Sequence, residues 1–264
     1  MSFQNKVVWI TGASSGIGKA LAIELDKQGA LLILSARKEK KLNEVKDACV
    51  NSKNIKVLPL DLEYYDQFEK KVEEALKWFG RIDILVNNGG ISQRALAKDT
   101  TLEVDKRIMK INYNGTIALT KAVLPHFLER KQGHFVVTTS IVGRIASPLR
   151  STYAASKHAL HGFFDSFRAE VFKENIDVTL ICPGYVTTKI SMNALTGDGS
   201  AQKTMDKATE NGIKPDRFAR LMAKAIAKKK QEAHIAGAKE KLGVFVKRFF
   251  PRVFSYMIRK LSVT

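Results

Sequence analysis

Short unbroken runs of apolar residues recur along this chain, separated by amphipathic stretches of helical length, and that alternation leaves few folds open. The runs occupy residues 7–10, 31–34, 55–58, 82–86, 135–138, 178–181 and 233–235. They lack the alternation of a half-exposed strand, so they read as strands covered on both faces, as in a parallel sheet flanked by helices. Between them, residues 17–28 set Ile17, Leu21 and Leu25 on one face, and residues 65–79 do the same with Phe68, Val72, Ala75, Leu76 and Phe79. Residues 103–131, 152–173 and 216–229 supply further helical stretches. A βαβα rhythm with right-handed crossovers predicts an α/β fold, a single-domain doubly wound parallel sheet. At 264 residues the chain can bury the core such a sheet needs. We place this domain at residues 1–237, followed by a basic amphipathic extension at 238–264. Residues 189–214 show neither pattern and carry Gly197, Gly199 and Gly212; so long a loop in a compact domain is usually functional.

Composition narrows the setting. The two cysteines, Cys49 and Cys182, are too few for a disulfide framework and have no metal-ligand spacing, so we expect reduced, buried thiols and a cytoplasmic chain. The first residues show no basic segment leading into an apolar one, so no secretory signal is expected. No apolar run reaches the roughly 18 residues of a membrane span. The net charge is +18, and residues 203–264 concentrate it, with sixteen Lys and Arg against five Asp and Glu. Such asymmetry suits an anionic partner or a solvated basic face. No base-reading or stacking module accompanies the cations, so we expect no nucleic-acid role.

The first run passes directly into Thr11-Gly12-Ala13-Ser14-Ser15-Gly16-Ile17-Gly18 and then a helix. Glycines there permit a tight turn and close approach of a pyrophosphate, and the helix N-terminus offers free N–H groups and a positive dipole end. Gly12, Ser14, Ser15, Gly16, Ile17 and Gly18 are therefore candidate phosphate contacts. The second run ends at Ser35-Ala36-Arg37-Lys38, where ribose selectivity of a dinucleotide is decided. No acid stands there to bond a 2′-hydroxyl. Arg37 can clamp a 2′-phosphate in two-point fashion, with Lys38 beside it. NADP(H) is accordingly the expected cofactor, with a plain surface role for Arg37 as the alternative.

Tyr153 and Lys157 are four residues apart on a predicted helix and share a face. A phenol titrates near about 10 in water, and a neighbouring ammonium lowers that value, which makes Tyr153 a candidate general acid/base. Such a pair is commonplace alone. Here Ser140 closes the fifth run, where its hydroxyl can hold a substrate oxygen beside the phenol, and Asn112 lies in the long helical stretch, where its amide can carry a relay water. Asn87-Asn88-Gly89-Gly90 closes the fourth run and Pro183-Gly184-Tyr185-Val186-Thr187-Thr188 the sixth, at the sheet edge where ligands of open α/β sheets bind. His158 and His161 follow the pair, but no third ligand is in sight and we expect no metal. Arg144 and Arg150 read as solvated loop cations, with an acidic substrate as the other option.

In this order and spacing, over residues 5 to about 237, these motifs resemble the short-chain dehydrogenase/reductase family. The resemblance implies a Rossmann-like fold and oxidoreductase activity. It assigns Tyr153 as proton donor or acceptor, Lys157 as pKa modulator and ribose contact, Ser140 as substrate-oxygen clamp and Asn112 as proton-relay anchor. It further implies that Asp61 and the adjoining Leu62 meet the adenine, that Asn88, Gly89 and Gly90 line the adenosine ribose, and that Pro183, Gly184, Val186 and Thr188 hold the carboxamide and phosphates. Family members usually carry alanine where Gly89 stands; the missing methyl leads us to expect slightly looser cofactor packing.

The segment from Lys239 to Leu261 places Leu242, Val246, Phe249, Phe250, Val253, Met257 and Leu261 at helical spacing, with Lys241, Arg248, Arg252 and Arg259 opposite and a break expected at Pro251. Such a tail can rest on a membrane surface, pack on a partner subunit or cap its own pocket. The tail and the Tyr153 helix resemble the hydroxysteroid-dehydrogenase-like branch of the family. That likeness implies an apolar carbonyl or alcohol substrate of steroid, retinoid or lipid type, and a homodimer or homotetramer. The expected activity is NADP(H)-dependent interconversion of such a carbonyl and alcohol. A non-catalytic NADP(H)-sensing or membrane-surface protein on the same fold is the alternative.

Overall fold

All seven apolar runs become strands of one sheet. In the computed structural model, which describes residues 3–260, these are β1 (Val7–Thr11), β2 (Leu31–Ser35), β3 (Ile55–Val57), β4 (Ile84–Asn87), β5 (Gly133–Thr138), β6 (Ile176–Pro183) and β7 (Glu232–Ile235). Their spatial order is β3-β2-β1-β4-β5-β6-β7, and every neighbouring pair is parallel. The helices are α1 (Gly16–Lys27), α2 (Glu39–Asp47), α3 (Phe68–Phe79), α4 (Leu102–Met109), α5 (Gly115–Arg130), α6 (Ser151–Glu170), α7 (Lys207–Glu210), α8 (Pro215–Ala227), α9 (Ala238–Phe249) and α10 (Pro251–Lys260).

Both faces of the sheet are covered. Val8, Ile10, Leu32 and Leu34 pack with Leu21 and Leu25 of α1 and Phe218 and Met222 of α8. Val7, Trp9, Ile33 and Leu85 pack on the other side with Val72 of α3, Leu119 and Phe127 of α5, and Leu160 and Phe164 of α6. Alternate residues of β1 thus enter two different cores, and the strand has no polar face to show in its sequence. The order reverses at β1, which pairs with β2 on one side and β4 on the other. Connections leaving their carboxyl ends diverge there and open a crevice.

Three elements depart from expectation. Residues 103–131 are not one helical run: α4 and α5 are joined by a π-helical turn at Lys110–Asn114. Helix α2 is unannounced because its sequence is mostly charged and it buries only Leu42 and Val45. In the tail the break falls at Pro251 as expected, but Phe254 is the buried residue of α10, whereas Leu242, Phe249, Phe250, Val253 and Met257 remain exposed. Leu261, expected on the same face, lies outside the described residues. The 189–214 segment is irregular apart from α7 and is stitched to the body by isolated bridges pairing Gln93 with Leu195 and Val186 with Ile213. Among the described residues no helix is long and apolar enough to cross a membrane.

Candidate active site

The carboxyl end of β1 leads straight into the glycine loop. Gly12 has φ +65°, and a Cβ there would lie 2.8 Å from the Gly89 Cα; neither the turn nor the approach admits a side chain. At Gly18 a Cβ would collide with the Gly12 carbonyl oxygen, so glycine lets α1 start against its own loop. Thr11 Oγ1 accepts from the amides of Asn88 and Gly89 at 3.0 Å each, and Asn88 Nδ2 donates to the Thr11 carbonyl at 3.1 Å. These bonds clamp the ends of β1 and β4 together. The first N–H groups of α1 have no acceptor within the helix, so they face the crevice as an anion cradle.

A cavity of about 1230 Å³ runs from this cradle along the carboxyl edge of the sheet. Every candidate cofactor-binding or catalytic residue lines it except Gly18, which sits behind the loop, and Asn112. Arg37 and Lys38 stand exposed at one mouth. Gly89 does not loosen the wall as expected. A Cβ there would meet Leu62 Cδ1 at 2.6 Å, so Leu62 already fills the space an alanine methyl would take.

At the other end α6 presents Tyr153 and Lys157 one turn apart. The helix is capped from a distance: Gln93 Oε1 accepts from the amides of Thr152 (2.9 Å) and Tyr153 (3.2 Å). Burial pushes the Tyr153 phenol above its ordinary value, opposed first by its hydrogen bond with Ser140 and then by the Arg150 and Arg94 guanidiniums. Lys157 Nζ donates to the Thr138 carbonyl at 2.9 Å and lies 5.9 Å from the Tyr153 ring centroid. Burial brings its pKa down to about 8. Lys157 is expected to modulate the phenol, but what acts on it here is burial, opposed by Ser140 and by two arginines from elsewhere.

Asn112 occupies the π-helical turn, a form that recurs at functional sites. Its Oδ1 accepts from the Ile91 amide (2.8 Å), and its Nδ2 donates to the Ile91 carbonyl (2.9 Å) and Ser156 Oγ (3.1 Å). The amide thus ties the loop after β4 to α6.

Other placements also differ from the sequence reading. Arg150 is not a solvated cation: it is buried and shares Asp206 with Arg94. Neither Arg94 nor Asp206 was legible as a site residue, because they meet across 112 positions. Arg144 pairs with Glu232. His161, dismissed for want of a third ligand, has Cys182 and Glu232 beside it, their ligand atoms within 4.8 Å of one another. Glu232 there is already engaged by Arg144 and His234, and burial holds the Cys182 thiol up at about 12. The group reads as an ion-pair network stitching α6, β6 and β7.

Comparison with known proteins agrees with this layout. Residues 6–198 match the family described as short chain dehydrogenase. The chain is 44% identical over 261 residues to a "Dehydrogenase/reductase SDR family protein 7-like" of Anopheles gambiae, covering 97% of this chain and 82% of that one. It is 42% identical over 258 residues to "Dehydrogenase/reductase SDR family member 7B" of Bos taurus, covering 95% and 79%. A short chain dehydrogenase/reductase from Burkholderia phymatum, solved in complex with NAD, shares the fold with a TM-score of 0.85 at 21% identity, over 96% of each chain. Levodione reductase superposes with a TM-score of 0.80 at 26% identity, over 90% of this chain and 99% of that one. With the family matched over most of its length, a Rossmann-like sheet and a cavity at the switch point, this chain belongs to the short-chain dehydrogenase family of oxidoreductases.

Proposed function

We propose that this protein is an NADP(H)-dependent oxidoreductase that interconverts an apolar carbonyl and its alcohol. The observation carrying this reading is that Tyr153, Ser140 and Lys157 line one cavity with the glycine cradle at the start of α1. The cradle fits a dinucleotide: Gly12 and Gly18 stand where a Cβ would collide, Gly16 holds a φ of +54°, and the first turn of α1 is open to an anion. Gly12, Ser14, Ser15, Gly16 and Ile17 would hold the pyrophosphate, with Gly18 shaping the loop. Arg37 and Lys38 would meet the 2′-phosphate, and Asp61 and Leu62 the adenine. Asn88, Gly89 and Gly90 would line the adenosine ribose, Lys157 the other ribose, and Pro183, Gly184, Val186 and Thr188 the carboxamide side. The bound cofactor supplies or accepts the hydride.

The protein's own part is orientation and proton transfer. Ser140 holds the carbonyl oxygen, and Tyr153 gives its phenolic proton to that oxygen in reduction or takes it back in oxidation. Asn112 fixes the loop after β4 against α6. The substrate end of the cavity is lined by Ile141, Ile145, Leu195, Leu242, Phe254 and Met257, which suits a steroid-, retinoid- or lipid-like body and keeps water from the reacting carbon. The tail supports a peripheral lipid contact, since Phe249, Phe250 and Val253 are exposed beside Lys247, Arg248 and Arg252; a second copy on that face is the competing outcome.

The test is oxidation of NADPH and of NADH over a panel of apolar ketones, aldehydes and diketones, with Tyr153→Phe alongside. NADPH consumption that the phenol-less variant abolishes supports the reading. Tight NADPH binding with no turnover on a broad panel would replace it with a non-catalytic sensor, and preference for NADH would sink the role given to Arg37.

A further inference from the structure

The segment 189–214 forms one wall of the cavity, yet little apolar burial holds it there. Ile190, Asn193, Leu195, Ala201, Ala208 and Thr209 line the cavity, while Ala194 and Leu195 are the only buried hydrophobic residues of the segment. Residues 191–203 fold back on themselves. Leu195 bridges Ala201 in antiparallel fashion, and the Gln202 and Lys203 amides donate to the Ala194 and Met192 carbonyls at 2.9 Å each.

The two arms of this fold are fastened differently. The outgoing arm joins the loop after β4 through the backbone: the Arg94 amide donates to the Leu195 carbonyl at 2.8 Å, and the Leu195 amide to the Ser92 carbonyl at 2.9 Å. The returning arm is fastened by charge. Arg94 Nε and Nη2 donate to Asp206 Oδ2 at 2.8 and 2.6 Å, and Gln202 Nε2 donates to Asp206 Oδ1 at 3.0 Å. The guanidinium is itself held in place, since Arg94 Nη1 donates to Ser92 Oγ at 2.9 Å and to the Gln93 carbonyl at 2.5 Å. Arg150, just before α6, reaches the same Asp206 oxygen at 3.5 Å. Arg94 is 9% exposed and Asp206 4%. A buried ion pair contributes little net stability, because desolvation offsets the attraction, but parting its members is expensive. It therefore tolerates one register of the two surfaces and penalises every other.

We infer that the Arg94–Asp206 pair fixes the returning arm of the 189–214 segment in one position, so that the chamber wall is shaped before substrate arrives and sets how large an apolar body fits. This rests on the cavity being the substrate chamber of the proposed reductase. Arg94 and Asp206 act through the wall and are positioning residues.

Hydrogen exchange and kinetics on the protein with cofactor bound test it. In Asp206→Asn, which keeps the shape and removes the charge, amides of residues 200–210 are expected to exchange about tenfold faster, while those of β4, β5 and β6 keep their wild-type rates. The KM for a bulky apolar ketone should rise roughly tenfold, because the cost of ordering the wall passes to substrates that reach it. On the same grounds kcat and the NADPH Kd should stay within about twofold, and the KM for a small diketone should barely move. Arg94→Met should reproduce this pattern, and the double variant should lose no more than either single one, as for two members of one contact. Unchanged exchange in the segment overturns the inference, and so does faster exchange across the whole sheet or an equal rise in KM for both substrates. Should Arg94→Met fail to fold, Asp206→Asn decides alone. Exchange needs no turnover, so the two readings fail separately. Unchanged exchange with normal turnover strikes the inference, whereas faster exchange confined to the segment in a protein that turns over nothing strikes the reductase reading.

Discussion

At Gly89 a single missing methyl shows how a local rule can mislead. Glycine in place of the usual alanine suggested looseness, but Leu62 has grown into the gap. Gly89→Ala is therefore expected to tighten nothing: Leu62 must shift, and overpacking costs about 1–3 kcal/mol. Thermal unfolding reads that loss, and Leu62→Val in the same chain should recover most of it. On the proposed reading, cofactor choice turns on Arg37. Arg37→Ala should raise the KM for NADPH roughly tenfold or more and leave that for NADH nearly unchanged, since a charge-assisted bond to phosphate contributes about 1.5–3 kcal/mol. Initial rates with each cofactor decide it. Tyr153, Lys157 and the glycines were legible because their relations are local: four residues on a helix, seven in a loop. Gln93 and Asp206 were not, since their partners stand 59 and 112 positions away and their own surroundings carry no signal.

Helices and strands were readable where an apolar period marked them. The seven strands and the crossover helices of the core appear in the sequence because burial on two faces writes itself as apolar runs. Helix α2 and the π-helical turn at 110–114 do not, the first because it buries two residues, the second because a π turn shifts register without changing composition. The paired helices α9 and α10 were foreseen, with their inner and outer faces partly exchanged. Phe254 faces the cavity and Phe249 is 61% exposed. Phe254→Ala should cost about 3 kcal/mol or more in urea unfolding, as for other buried phenylalanines, and should weaken turnover of bulky substrates most. Phe249→Asp should leave turnover of a small water-soluble ketone intact while lowering retention on vesicles rich in anionic lipid, measured by sedimentation. Undiminished retention would assign the exposed face elsewhere, and a change of mass in light scattering would point to a second copy of the chain.

Across the molecule as a whole, acid tolerance is set by imidazoles before carboxylates. Burial holds His134 and His161 each down at about 4, against 6.5 in the open chain. Below about 6.5 the unfolded chain binds protons that the folded one refuses, so stability rises with pH across that interval and is lost as pH falls toward 4. Every tenfold loss of proton affinity on folding corresponds to about 1.4 kcal/mol. The carboxylates Asp83 and Glu232, which burial raises but the Val7 amide with Arg130 and Arg81, and His234 with Arg144, lower on balance, withdraw their support only at lower pH still. Urea midpoints should therefore decline between pH 7 and 4.5, and His134→Asn, which can keep a bond to Thr179, should flatten that decline. A midpoint constant over the interval would contradict the burial argument. The cavity has a consequence in time as well as space. Its walls run from Thr11 in the first strand to Ile258 in the last helix, and that first strand lies inside the sheet with neighbours on both sides. During synthesis β1 and β2 can pair early, yet the pocket gains its far wall only when α10 leaves the ribosome. A nascent chain thus exposes a half-built apolar cleft from the emergence of β1 to that of α10, the interval in which chaperones have most to shield.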